Sequence, residues 1–316
     1  MSSTLRAIRV LSDGRPGHEN QSAGLAAALA RRTGAAIETV RITGHGYFAR
    51  FRRAASLAWG NPRPELLIAT GHATHLPLRH AADRFGAKSV VIMRPTWPKS
   101  WFDVCLVPAH DGHKPCRGDN VILTRGALNR IPEELPAKQA RGMILIGGPS
   151  RHHAWDDVPV IEAIYEVIQA RPELSWTIDD SRRTPKSFTS ALSTLGLKAE
   201  LMSHTRTTPD WLPSQLLEAE EVWVTEDSVS MGYEAVTARA RTGILPVPAK
   251  RKNGRVYGAV RRLETDGYAM SFATWLEHGR KLPPSKPLHE TARCAETVLA
   301  RLFPGVLRPE ESPLPA

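Results

Sequence analysis

Long apolar runs are missing from this 316-residue chain, and none approaches the roughly 18 residues that a membrane-spanning helix needs. The opening MSSTLRAIRVLSDG has no continuous apolar stretch, so no signal peptide is expected. Cysteine is scarce. Cys105, Cys116 and Cys294 are scattered without metal-ligand spacing, which excludes a disulfide framework and favours a reducing compartment, the cytoplasm by default. Aromatic residues make up only 6% of the chain, and no zinc-finger or RRM signature accompanies them, so nucleic acid is not an expected partner. Short-period repeats and low-complexity tracts are also lacking.

What the chain does have is 41% hydrophobic and 23% charged residues, the balance of a globular protein of about two domains. Its formal net charge is +10, carried by dispersed groups such as Arg50, Arg52 and Arg53, Arg182 and Arg183, and Lys250 to Arg255. Such a field favours anions: phosphate-bearing small molecules or an acidic membrane surface. A solvated basic surface is the plainer alternative.

Short β-branched runs alternate with longer amphipathic ones. AIRVL, AIETVRI, ELLIA and SVVIM read as strands, separated by the helical QSAGLAAALARR, YFARFRRAASLA and THLPLRHAADRF. VCLV and NVILT add two short strands, and the Pro-rich, charged stretch Ile131–Gly142 reads as a linker. The rhythm then restarts with MILIGG, LSWTI, KAELM, EVWVT and GILPVP as strands around four helical stretches. This pattern predicts an α/β fold of two Rossmann-like, doubly wound parallel-sheet domains facing a cleft, residues 1–138 and 139–316. The amphipathic stretch His289–Phe303 is a further helix, expected to return toward the first domain.

In such sheets ligands gather at the carboxyl ends of the strands, and the residues there are unusually polar. LSDGRPGHENQ follows the first strand, with Gly14 and Gly17 allowing close backbone approach and a helix expected to start near Asn20 or Gln21. His18 is the residue of that loop able to cycle a proton near neutrality. IATGHATHLPL brings Gly71, His72, Thr74 and His75 to the end of the third strand. Two histidines three apart suggest a metal, but no third ligand has matching spacing, and a Thr74 helix cap with a local His72 hydrogen bond is the simpler reading.

MILIGGPSRHHAWD places Gly147 and Gly148 where their amides could face a phosphate, with Ser150 and Arg151 as added donors. It lacks the G-K-[ST] of a P-loop. WTIDDSRRTP sets Arg182 and Arg183 beside a helix start at Thr184-Pro185, a pairing suited to a diphosphate. VWVTEDSVSMGYEA delivers Thr225, Glu226, Asp227 and Ser228, then Ser230 and Glu234 at or just inside a helix. A carboxylate there can accept from the two vicinal hydroxyls of a ribose, or simply complement the helix dipole.

Seven ordered motifs (LSDGRPGHENQ, GHATHLP, WFDVCLVPAHD, LTRGALNRI, ILIGGPSRHHAWD, SRRTP and VWVTEDSVSM…EA) resemble the plant "elongated mitochondria" mitochondrial-fission family and its bacterial relatives, from about Ile8 to Phe272. The plant members help bring a dynamin-like protein to mitochondria, so the resemblance also allows a non-catalytic, membrane-adjacent adaptor. The same loop order is similar to that of GT-B glycosyltransferases, especially the lipid-linked peptidoglycan glucosaminyltransferase and the UDP-N-acetylglucosamine 2-epimerases. The resemblance implies Gly17-His18 opening the acceptor domain, Gly147-Gly148-Pro149-Ser150 meeting the diphosphate, and Ser228…Glu234 holding the ribose. Two departures stand out: an acidic pair, Glu226-Asp227, with Val229 where relatives carry Ser-Gly, and Pro149 where a smaller residue is common.

The expectation is an inverting, metal-independent GT-B glycosyltransferase with no cofactor, active in cell-envelope glycan assembly. His18 is the general base, assisted by Asp13 or Asp111, and the donor is a nucleotide sugar. The acceptor is a hydroxyl, with lipid-linked ones included, which would put the protein at the inner face of the membrane. A sugar-nucleotide epimerase or hydrolase on the same scaffold is the alternative enzyme.

Overall fold

A computed structural model describes residues 4–42, 63–109, 117–250 and 255–306. The helix expected over YFARFRRAASLA, and Asp111 and Cys116, lie outside these residues. The chain divides into two compact units, Met1–Arg130 with His289–Ala316, and Ile131–Leu288.

The first unit opens with β1 (Ala7–Ser12), α1 (Pro16–Thr33) and β2 (Ala36–Arg41). Then come β3 (Leu66–Thr70), α2 (His75–Phe85), β4 (Lys88–Ile92), β5 (Val104–Pro108) and β6 (Val121–Thr124). The sheet order is β2-β1-β3-β4-β5-β6, and every pair is parallel. β1, β3 and β5 are buried along their whole length, as parallel strands covered on both faces must be, which is why they read as unbroken apolar runs. α1 begins at Pro16 rather than at Asn20 or Gln21. Proline at the first helical position has no N–H to leave unpaired, and the helix ends where Gly34 turns left-handed at φ 72°.

The second unit contains β7 (Gln139–Leu145), α3 (Asp157–Ala170), β8 (Ser175–Asp179), α4 (Lys186–Thr194), β9 (Ala199–Met202) and α5 (Trp211–Glu218). It continues with β10 (Ala219–Thr225), α6 (Val229–Thr237), β11 (Arg241–Leu245), α7 (Arg255–Thr265), β12 (Met270–Ser271) and α8 (Phe272–Glu277). Its sheet order is β12-β11-β10-β7-β8-β9, again all parallel. The last helix among the described residues, α9 (Glu290–Leu302), packs on α1 through Cys294, Ala295, Val298 and Leu299 in the first unit's core.

The stretch expected to be a linker is partly structure. Gln139–Gly142 is the start of β7, and Ile131 is buried with Met143, Leu145 and Val224. Pro132, Glu133 and Glu134 hide that anchoring in a polar context. In the first sheet the strand order reverses between β1 and β3, in the second between β10 and β7. Open sheets leave their crevices at these reversals. No helix among the described residues is long and apolar enough to cross a membrane.

Candidate functional site

At the first reversal, the turn after β1 is built by its own side chains. Ser12 Oγ accepts from the Gly14 amide at 2.9 Å and donates to Glu19 at 2.5 Å, while Gly14 takes φ 77°. Gly17 and His18 fall in the first turn of α1, not in a loop. The His18 ring faces back to Asp13, with Nδ1 3.0 Å from Oδ2. Burial disfavours charge on Asp13, but the hydrogen bond and charge of His18, with the Arg15 amide and guanidinium, hold its carboxyl below the usual range. An ionised Asp13 can only accept, so Nδ1 carries a proton, and in the neutral ring it is Nε2 that presents the lone pair. Among the described residues nothing pairs with Nε2, and the side chain is 18% exposed.

The neighbouring strand makes room for this ring. Gly71, at the end of β3, has φ 88° and ψ 150°, a region almost confined to glycine, and a Cβ there would run into the His18 imidazole. Thr74 does not cap α2; its hydroxyl donates to the Gly71 carbonyl at 2.7 Å and fixes the turn. His72 is exposed whereas His75 is buried, its Nδ1 3.2 Å from Thr96 and its ring edge-on to Phe102. Burial, then the charges of His72 and His18, lower the His75 pKa to about 4. His75 is a neutral core residue. Among the described residues no group of three His, Cys, Asp or Glu side chains could hold a metal.

At the second reversal, the Gly147-Gly148 turn follows β7. The Gly147 amide donates to Thr225 Oγ1 at 2.8 Å, and the Gly148 amide donates to Asp227 Oδ2 at 3.1 Å. Both amides expected to face a phosphate are therefore held by side chains that follow or end β10. Arg183 is drawn in too, donating to Asp227 Oδ2 at 2.6 Å and to the Gly148 carbonyl at 2.8 Å. Thr184 serves this turn rather than capping α4: its hydroxyl donates to the Gly147 carbonyl at 2.7 Å, as does Ser181 at 2.8 Å.

Ser150 Oγ accepts from the His152 and His153 amides, leaving its own proton to donate. Arg151 donates to His152 Nε2, and Arg182 is exposed. Ser228 stands at the N-cap of α6 without a side-chain capping bond, with Ser230 half-buried in the first turn. Glu234, on the second turn, is only 7% exposed rather than open to solvent.

Beside the turn lies a cavity of about 230 Å³ lined by Ile146, Ile178, Phe188, Leu192, Met202 and Asp180. Asp180 accepts from the His204 amide and ring at its edge. Asp179 below it is buried with one oxygen unpartnered, and burial, then Asp180, raise its pKa to about 7. The sequence alone marked the acidic pair Glu226-Asp227 as a departure but showed neither the contact of Asp227 with the Gly-Gly turn nor the Gly71–His18 contact; the signal for the first was a carboxylate at a strand end opposite a Gly-Gly pair.

The sequence matches the family model described as mitochondrial fission ELM1 over residues 16–302. No curated protein matches it. Among solved structures, a candidate UDP-N-acetylglucosamine 2-epimerase from Listeria monocytogenes is 12% identical and superposes with a TM-score of 0.59, over 98% of each chain. The UDP-GlcNAc 2-epimerase of Neisseria meningitidis, bound to UDP-GlcNAc, is 13% identical with a TM-score of 0.54, over 95% of this chain and all of that one, 100%. The Methanocaldococcus jannaschii UDP-GlcNAc 2-epimerase is 12% identical with a TM-score of 0.53, covering 92% of this chain and 98% of its own. At such identities the likeness speaks for the fold, which is GT-B-like. With the family model matched over nearly the whole length, the chain belongs to the mitochondrial fission ELM1 family.

Proposed function

We propose that the protein is a glycosyltransferase that moves a sugar, with inversion, from a nucleotide-diphosphate donor to a hydroxyl acceptor. The observation that carries this reading is the Asp13–His18 pair seated on Gly71, an oriented imidazole with its Nε2 lone pair unpartnered. His18 takes the acceptor's proton, the acceptor oxygen attacks the anomeric carbon, and the bond to the diphosphate breaks. Asp13 stabilises the imidazolium that forms. Arg151, Arg182, Ser150, Ser228 and Ser230 bind the diphosphate, helped by the positive N-terminal end of α6. The cavity beside Ile146 receives the base, and Glu234 the ribose. The net charge of +10 suits an anionic acceptor such as a lipid-linked glycan of the cell envelope, met from the cytoplasm at the membrane's inner face.

An epimerase or hydrolase acting on the same donor is the second reading, favoured by the epimerases among the similar structures. UDP-GlcNAc incubated with enzyme, with and without acceptor, separates the two: only an epimerase or hydrolase consumes donor alone.

Binding is tested first. A donor at 100 times its Kd stabilises the fold by about 2.7 kcal/mol, so a thermal-shift panel of nucleotide sugars identifies it. Because Glu234 is buried, Glu234→Gln, which keeps the volume, is the cleaner probe than Glu234→Ala. Loss of a charged partner of two hydroxyls weakens binding by roughly 1.5–3 kcal/mol. Unchanged affinity by calorimetry would contradict the assignment.

A further inference from the structure

At the Gly147-Gly148 turn the backbone is pinned from below and filled from above. Ser181 and Thr184 hydroxyls both hold the Gly147 carbonyl, fixing the direction of the Gly148 amide in the same peptide plane. The Asp227 carboxylate lies directly against Gly147, where a Cβ would collide with both of its oxygens. Oδ2 collects the Gly148 amide at 3.1 Å and the Arg183 guanidinium at 2.6 Å. An amide and an arginine converging on one oxygen are what a phosphate oxygen would use. The other oxygen, Oδ1, has no partner, and the side chain is 0% exposed.

We propose that Asp227 is an internal competitor for the donor's diphosphate, holding the Gly148 amide and Arg183 until the ligand displaces it, and so setting donor affinity. This rests on the nucleotide-sugar reading for its ligand, but the competition itself belongs to any diphosphate.

Two features make the exchange physically accessible. Arg183 is 40% exposed, so its guanidinium can follow an incoming anion without unfolding the turn. His153, wholly buried with neither ring nitrogen partnered, is near enough to feel the charges of Asp227 and Arg183. A displaced Asp227 turning toward His153 gives the His153 ring and Asp227 Oδ1, both unpartnered in the present arrangement, a partner in each other. Removing the carboxylate's charge should therefore help an anion bind. An ordinary strut at this position would behave in the opposite way, because its loss would only loosen the site.

The test titrates inorganic pyrophosphate and UDP into the wild type, Asp227→Asn and Arg183→Met by calorimetry, with melting temperatures alongside. Asp227→Asn is expected to bind both probes at least tenfold more tightly than wild type, and Arg183→Met at least tenfold more weakly. A folded Asp227→Asn that binds pyrophosphate no more tightly than wild type overturns the proposal, as does a pair of proteins that bind no pyrophosphate at all. If Asp227→Asn does not fold, Asp227→Ser is measured in its place with the same criteria. The two readings fail separately. Wild type that binds UDP with no gain in Asp227→Asn removes the competitor and leaves the nucleotide site. Tighter pyrophosphate binding by Asp227→Asn with no UDP binding by either protein keeps the competitor and removes the nucleotide.

Discussion

His18 gets its chemistry from two neighbours of opposite kind: a nearly buried carboxylate that fixes one ring nitrogen, and a glycine that leaves space for the ring. Gly71→Ala removes the space and adds backbone strain of about 1–3 kcal/mol. The variant should melt earlier and lose at least tenfold in kcat while nucleotide affinity stays put; an unaltered kcat would mean the ring does not need that seat. Asp179 shows the same dependence on surroundings in its titration. Its pKa is about 7 in the fold against 3.8 for the ordinary group, because burial disfavours its charge. The native state therefore holds the proton more tightly than the unfolded chain between these values, and stability declines as pH rises through them. The contribution is fully present below about pH 4 and lost as pH passes about 7. Asp179→Asn should raise the melting temperature at pH 8 relative to wild type and flatten the pH profile. An equal shift at pH 5 and pH 8 would show that Asp179 does not titrate in this range.

Among the elements, α9 ties the end of the chain to its beginning. Val298 and Leu299 are fully buried in the core that α1 lines, and Arg32 and Glu296 pair at 2.8 Å across the two helices. Leu299→Ala should cost about 2–5 kcal/mol, with amide exchange accelerated in α1 although the residues lie far apart in sequence. Exchange confined to α9 would show that the helix adds little to the first unit. Strand by strand, the alternation was legible because parallel strands buried on both faces leave unbroken apolar runs such as LLIAT and VCLV. The helices α7 and α8 were not legible. RVYGAVRRLET buries Ala259, Val260 and Leu263 while Arg261 and Arg262 are exposed, a short apolar stripe in a charged run, and FATWLE is a single short helix whose Trp275 packs against Trp223 and Phe272. Of the candidate site, the loops could be found because their positions follow from topology. Of the pairings, Asp13 with His18 is local and could be named as one of two options from its loop, whereas Asp227 with Gly147 and Arg183 joins the ends of separate strands and could not.

For the whole molecule, both strand-order reversals carry a built turn, one centred on a histidine and one on a glycine pair. A chain retained only as a docking surface has no need of an imidazole held by a carboxylate, so the central claim is catalytic. It is tested most directly by measuring sugar transfer and donor binding for wild type and His18→Ala across a panel of nucleotide sugars and hydroxyl acceptors. Removal of a positioned general base costs about 10²–10⁴ in rate, so His18→Ala should lose that much kcat while donor affinity barely changes. A wild type that binds none of the nucleotide sugars, or a His18→Ala variant that transfers sugar at the wild-type rate, would contradict the account.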